Sequence, residues 1–205
     1  MFTFAVLILI SSVAIQADHF NGGTITWAPV NPNTNSSTVV ITITQSYSWV
    51  LSAVSCAANV PISTSFYANS NANLVCVAGC TNQGNYNSSP INILTDCTWS
   101  STSLDMMKSQ RSRNVTLNVG AYFTVAYRDR AWRNLENTGA FFPDWSIASL
   151  IDVRRRPDGI INTPPVSSVA SPQYVIVNRT TQLRIPVSDV NDRDDIRCRW
   201  SANPG

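Results

Sequence analysis

Thr38 to Ser52 reads TVVITITQSYSWVLS. Val39, Ile41 and Ile43 alternate with Val40, Thr42 and Thr44, and Tyr47 and Trp49 continue the first set. A period of two held over this length by β-branched and aromatic residues predicts a long strand with one face buried. Just upstream, Thr24 to Val30 (TITWAPV) alternates in the same way, with Ile25 and Trp27 set against threonines. Between the two runs lies NPNTNSS, residues 31 to 37, which is turn chemistry throughout. The pair therefore predicts a hairpin of two strands.

Working outward, Asn114 to Tyr127 (NVTLNVGAYFTVAY) alternates as well, and its Gly120-Ala121 pair suits a tight type II′ hairpin turn. Trp145 to Val153 (WSIASLIDV) predicts another strand, after the turn signals Asn137-Thr138-Gly139 and Pro143-Asp144. Ser100 to Arg113 is the one stretch with helical character. From Cys56 to Trp99 the pattern breaks into short pieces, Asn73 to Val77 and Ile91 to Thr98, separated by Asn-, Ser- and Gly-rich loops. Loops of that length are costly to order, and cross-links are a usual remedy. The expected fold is all-β: an antiparallel β-sandwich stapled by disulfides, residues 18 to 156.

Four of the five cysteines, Cys56, Cys76, Cys80 and Cys97, fall in this loop-rich third. They allow two bridges in three connectivities. Cys76 and Cys97 both sit in strand-like runs, which favours pairing them with each other and Cys56 with Cys80. Cys198 is left over.

An oxidising compartment is expected on other grounds too. Phe2 to Ile15 is an apolar run ending in Ala14-Ile15-Gln16-Ala17, which suits removal of residues 1 to 17 as a signal peptide. The run is shorter than the roughly 20 apolar residues a spanning helix needs, and no later segment of this chain has that character. Four Asn-x-Ser/Thr sequons, at Asn35, Asn87, Asn114 and Asn178, mark candidate glycosylation sites. Composition agrees: 44% of the 205 residues are hydrophobic, enough for a real core, and only 13% are charged. A net charge of +2 argues against nucleic acid as a partner.

Catalytic and metal patterns are sparse. The single histidine, His19, lies two residues inside the expected mature terminus, and no Gly-x-Ser-x-Gly elbow is present, so a Ser-His-acid triad would hang on a frayed end. Cys76-x-x-x-Cys80 lacks the further ligands that a zinc site requires. No phosphate-binding Gly-rich loop precedes Lys108, the sole lysine. A secreted glycoside hydrolase would need two of Asp96, Asp105, Asp129, Asp144 and Asp152 to converge.

Binding candidates are more numerous. Trp27 and Trp49, on paired strands, form either a sugar-stacking platform or part of the core. Arg128, Arg130 and Arg133 cluster, as do Arg154 to Arg156, and guanidinium forks favour sulfate and carboxylate. Interleaved Asp129 and Asp152 offer local ion pairs instead. Asp189, Asn191, Asp192 and Asp194 group hard oxygen ligands that suit calcium, or else cap a turn.

RRRPDGIINTPP, residues 154 to 165, breaks the strand pattern with charge, Pro and Gly, and residues 157 to 163 are read as a linker. Beyond it come Pro164-Pro165-Val166, Val175 to Val177, Leu183-Arg184-Ile185-Pro186-Val187 and Cys198-Arg199-Trp200. These resemble the opening strands of an immunoglobulin-like sandwich of the cadherin-like or PKD-like kind, and Ser188-Asp189-Val190-Asn191-Asp192 resembles its Asp-rich turn. The resemblance implies a truncated domain over 164 to 205, with Ile196, Cys198 and Trp200 facing inward and the mate of Cys198 beyond Gly205. DHFNGGTITWAPV with the four cysteines resembles the amino-terminal module of large, uncharacterised extracellular animal proteins. That likeness implies a secreted or cell-surface location and no established activity. The function expected from all this is non-catalytic recognition or adhesion within a longer protein, with an extracellular protein or glycan as ligand. A lectin-like or glycosaminoglycan-binding domain is the alternative.

Overall fold

The computed structural model describes residues 19–60, 73–130, 132, 144–168, 173, 175–191 and 194–199. The chain is an all-β sandwich. Its strands are β1 (Phe20–Pro29), β2 (Thr38–Val50), β3 (Val75–Ala78), β4 (Asp96–Ser101), β5 (Met106–Asn118), β6 (Tyr122–Asp129), β7 (Trp145–Asp152), β8 (Val166–Ser167) and β9 (Val187–Ser188). One sheet has the order β1-β2-β5-β4, the facing sheet β3-β6-β7, and β8 pairs with β9. Every strand pairing is antiparallel.

β2 is the spine of the larger sheet. β1 lies on one side of it, from Phe20↔Trp49 to Pro29↔Ile41, and β5 on the other, from Thr38↔Asn118 to Val50↔Met106. The alternation read from the sequence holds: Val39, Ile41, Ile43, Gln45, Tyr47 and Trp49 are buried, whereas Val40 faces solvent. The inner face meets Phe123, Val125, Tyr127 and Ile151 of the second sheet in one core cluster. Each such side chain removed from water contributes about 1.5–3 kcal/mol. Gly23 is required on β1, because a Cβ there would stand 2.6 Å from both the Ser46 carbonyl oxygen and the Tyr47 ring.

An aromatic cluster fills one end of the sandwich. Phe20 stacks on Trp145 at 3.8 Å and meets Trp49 edge-on at 4.8 Å, and Tyr127 meets Trp145 edge-on at 4.5 Å. His19 stacks against Trp49 and is 5% exposed, and its carbonyl accepts the Val50 N–H. The amino-terminal residue of the described chain is thus packed rather than frayed. Trp27 closes the side of the sandwich, its Nε1 donating to the Leu150 carbonyl of β7 at 2.8 Å.

Two local expectations are corrected. Ser100 to Arg113, read as helical, is the end of β4, a turn and the first part of β5: the unbranched residues from Met106 have good helix propensity, but full pairing with β2 and packing of Met107 against the core override it. Asn114 to Tyr127 is not a hairpin. β5 and β6 lie in different sheets, and the link between them is a turn closed by the Ala121 N–H on the Asn118 carbonyl, with Gly120 at φ 96. A positive φ at the third turn position is the type II pattern, which carries the chain across the sandwich instead of back alongside itself.

The packing of the first unit runs past residue 156. Ile161 is fully buried in the same core and donates its N–H to Pro32, while Arg155 reaches the Thr34 and Ser36 carbonyls. Beyond it the strand content is β8 and β9, two residues each. Val175, Ile176, Val177, Leu183 and Ile185 are all at least half exposed, and Ile196 and Cys198, expected inward, are exposed. Strands hold a buried face only when partners cover it, and among the described residues of this segment nothing does. Trp200 and residues 1–17 lie outside the described residues. Among those described, no helix is long and apolar enough to cross a membrane.

Candidate functional site

The outer face of the larger sheet is a field of neutral polar side chains. β2 contributes Thr42, Thr44 and Ser46, the half of its alternation that the core does not take. The β5 residues opposite them complete hydrogen-bonded rows. Thr42 Oγ1 donates to Asn114 Oδ1 at 2.8 Å, Thr44 and Ser112 share a hydroxyl bond at 2.8 Å, and Ser46 Oγ donates to Gln110 Oε1 at 3.0 Å. β1 extends the rows with Thr24 opposite Ser46 and Thr26 opposite Thr44. Paired hydroxyls and amides of this kind hold their rotamers across strands.

Where β4 ends against β5, the face deepens into a shallow open groove of about 440 Å³, lined by Asp96, Thr98, Gln110, Arg111, Ser112 and Arg113. Arg111 organises it. Its side chain is 9% exposed and grips Asp96 through Nε at 3.0 Å and Nη2 at 2.6 Å, while Nη2 also reaches Asn59 Oδ1. Asp96 Oδ1 further accepts the Asn59 N–H, so one ion pair ties β4, β5 and the loop after β2 together. Those bonds, the Arg111 side chain first, hold the Asp96 carboxyl down at about 2. Arg113, opposite Ile43 and so on the side of β5 that Val115 and Leu117 share, stands exposed at the uncovered edge of the strand and makes no ion pair among the described residues.

A bulge between Cys97 and Trp99 shapes the β4 side. It resets the alternation, so Cys97 faces Ser109 while Trp99 stands opposite Lys108, 44% exposed, with the ammonium 5.8 Å from the ring centre. An exposed indole at one end of a hydrogen-bonding face can stack on a sugar ring or a planar side chain. Of the two readings open for Trp27 and Trp49, platform or core, the structure gives the core: they are 4% and 1% exposed, with indole N–H groups bonded to Leu150 and Ser109. The threonine alternation already visible on β2 was the signal for this face.

The cysteines are joined Cys56–Cys97 and Cys76–Cys80, which corrects the expected pairing. The chain after β2 returns along β4, with Val60 bridged to Thr95 and the Cys97 N–H bonded to Ala57, so Cys56 and Cys97 become neighbours. Cys80 follows a left-handed Gly79 that folds it back onto Cys76. All four sequon asparagines, Asn35, Asn87, Asn114 and Asn178, are exposed.

Of the arginines expected to cluster, Arg128 is exposed, Arg130 pairs with Asp144 at 3.1 Å, and Arg133 lies outside the described residues. Arg154 is bound to Asp152, and Arg156 to Asn162 and Asp194. That last pair draws on the acidic run. Asp189 Oδ1 accepts the Asn191 N–H, Asn191 Oδ1 accepts the Thr163 N–H, and Asp194 binds Arg156 with both oxygens; Asp192 lies outside the described residues. Among the described residues no three His, Cys, Asp or Glu gather as a metal site.

Of the five carboxylates that glycoside hydrolysis would draw on, two come together: Asp129 accepts the Arg130 N–H, Asp144 meets the Arg130 side chain, and the Asp144 charge adds to the raising of the Asp129 carboxyl. Asp96 is held by Arg111, Asp105 accepts the Ser52 N–H and hydroxyl, and Asp152 meets Arg154. Asp129 is half-buried beside the aromatic cluster, and burial raises its carboxyl above the usual range, partly opposed by the Arg130 N–H and the charge of His19. The groove therefore presents a single, ion-paired carboxylate beside two hydroxyls, an amide and the Arg113 guanidinium. Compared with family models, with curated proteins and with solved structures, the chain matches none.

Proposed function

We propose that this chain is a secreted or cell-surface recognition module, non-catalytic and adhesive in role, which presents the outer face of β1-β2-β5-β4 to an extracellular ligand. The observation that carries the reading is the groove at the end of β4. It is open and shallow, its carboxylate is locked to Arg111, and exposed Arg113 lines it at the uncovered edge of β5, while Trp99 stands exposed on the outer face further along β4. Two disulfides support an oxidising location. Specificity on such a surface comes from a few anchors on a stiff scaffold.

A glycan is the favoured ligand class over a protein. Trp99 offers a stacking surface, the Ser46–Gln110 and Thr44–Ser112 rows offer hydroxyl and amide bonds, and Arg113 offers a fork for a carboxylate or sulfate. On this reading Trp99 takes the stacking role in place of the buried Trp27 and Trp49, and Arg113 the cationic role in place of Arg128, Arg130 and Arg133. The test is binding of the secreted chain to a glycan array and to heparin, beside Trp99→Ala and Arg113→Ala. Binding lost in both variants supports the reading. Equal binding by all three chains moves the site elsewhere, and flat results on both surfaces sink the glycan reading.

A further inference from the structure

β5 is longer than the strand that covers it. β4 pairs with β5 from Ser101↔Met106 to Asp96↔Gln110, yet β5 continues to Asn118, where the backbone N–H is taken by Gly84. From Arg111 to Leu117 its one strand neighbour among the described residues is β2. Seven residues, about 23 Å of strand, thus present an open edge, a template for adding a strand from another chain.

The upper part of this edge is blunted by charge, through exposed Arg113. The lower part is not. Asn114 to Asn118 reads NVTLN, with no charge and no proline, and with two β-branched residues. Such a segment on an open edge invites association. Yet it is here that the chain carries Asn114-Val115-Thr116, the one sequon of the four that lies on a strand; Asn35 lies in a loop, Asn178 in a turn and Asn87 in a short 3-10 segment. Strand alternation puts Asn114 and Thr116 on the same exposed face, while Val115 and Leu117 are buried. The Thr42 hydroxyl donates to Asn114 Oδ1, which leaves Nδ2, the atom that would carry sugar, without a role in the sheet.

We infer that Asn114 carries an N-linked glycan that shields the open edge of β5 from strand addition. The step is glycosyl transfer from a polyprenyl-diphosphate-linked oligosaccharide during export. Nδ2 attacks the anomeric carbon, a C–N bond forms as the C–O bond to diphosphate breaks, the diphosphate departs, and Nδ2 gives up one proton to a base of the transferase. The glycan stands about 20 Å along β5 from Lys108 and Trp99, so it bounds the groove at one end and leaves the indole end open.

The inference rests on the extracellular reading, and the experiment separates the two. The full chain is secreted from a eukaryotic cell and site occupancy is read by glycopeptide mass spectrometry. Oligomeric state is then measured by light scattering across a concentration series for the wild type, Asn114→Gln, Thr116→Ala and the control Asn35→Gln. Thr116→Ala matters most, since it removes the sequon and keeps the Asn114 amide and its bond to Thr42. Expected is an occupied Asn114, with a several-fold rise in associated species in both edge variants and none in the control. If either edge variant is not secreted, endoglycosidase trimming of the folded wild type to one sugar should produce the same rise. A chain retained inside the cell with no sugar at any sequon overturns the extracellular reading. A secreted chain with no sugar at Asn114, whatever the other sequons carry, overturns this inference and leaves that reading standing. An occupied Asn114 whose removal or trimming leaves the chain as monomeric as before overturns the shielding role.

Discussion

Arg111 holds Asp96 with Nε on one carboxylate oxygen and Nη2 on the other, and the arginine is the buried partner, 9% exposed against 44% for the aspartate. The pair therefore fixes the groove floor from inside. Asp96 is lowered from 3.8 to about 2 by this contact first and by the Asn59 N–H second. A lowered folded-state value stabilises fully above the unfolded value and is lost as pH falls through the folded one. Acid unfolding should thus show a loss of stability between about pH 4 and pH 2. Asp96→Asn should flatten that part of the profile and lower the midpoint at neutral pH. A variant whose acid limb overlays the wild type would show that Asp96 contributes nothing to it.

Asp129 should behave in the opposite sense. Burial raises its carboxyl, so the charged form costs stability at neutral pH, and that cost fades as pH falls toward the ordinary carboxylate value. Its Oδ2 and the neighbouring Tyr127 hydroxyl are both buried without a hydrogen-bond partner among the described residues. Asp129→Asn keeps an acceptor for the Arg130 N–H and removes the charge. It should melt above the wild type at pH 7, and the gap should close at pH 3. Loss of stability at pH 7 would mean that attraction from His19 outweighs the burial penalty.

The two disulfides should not be equivalent. Cys56–Cys97 spans 41 residues and Cys76–Cys80 spans 4. Chain-entropy scaling puts their contributions at about 4 and about 2 kcal/mol respectively. Cys56→Ser/Cys97→Ser should lower the denaturant midpoint clearly more than Cys76→Ser/Cys80→Ser. Peptide mapping of the unreduced chain checks the pairing directly, and a Cys76–Cys97 peptide would contradict it.

Tyr86 is a buried crossbar for the loops around the 3-10 segments Cys80–Asn82 and Tyr86–Ser88 between β3 and β4. Its hydroxyl donates to the Leu74 carbonyl at 3.1 Å and accepts the Ile91 N–H at 3.2 Å, while its ring packs against Phe123 at 5.4 Å. Tyr86→Phe keeps the ring and strands the Ile91 N–H, which should cost about 1–3 kcal/mol. Equilibrium unfolding measures this, and hydrogen exchange should quicken first at Ile91.

The sandwich was legible where side chains alternate over many residues. Thr38 to Val50 is the clearest case, and its outward Thr42, Thr44 and Ser46 foretold a polar face. The start of β5 was hidden because MMKSQR has no period of two, and its strand state is imposed by β2 rather than by its own propensity. The groove was hidden for a related reason. A single bulge at Cys97/Trp99 turns one tryptophan outward, and nothing in the residue types around it separates Trp99 from buried Trp27 or Trp49. Cysteine pairing depended on which loop returns along which strand, a long-range fact that spacing does not carry.

The placement of the two ends of the first unit has a mechanical consequence. His19 stands at one end of β1, while Ile161 is bonded to Pro32 and Arg155 to Thr34 and Ser36, all beyond the other end. A pull applied through residues 19 and 161 therefore runs along the ten-residue length of β1, about 33 Å. The load falls on β1 and β2 in shear, so the pairs from Phe20↔Trp49 to Pro29↔Ile41 share it rather than opening one by one. Single-molecule extension should record one abrupt rupture, in place of a gradual low-force plateau. A module tethered between surfaces would yield all at once or not at all.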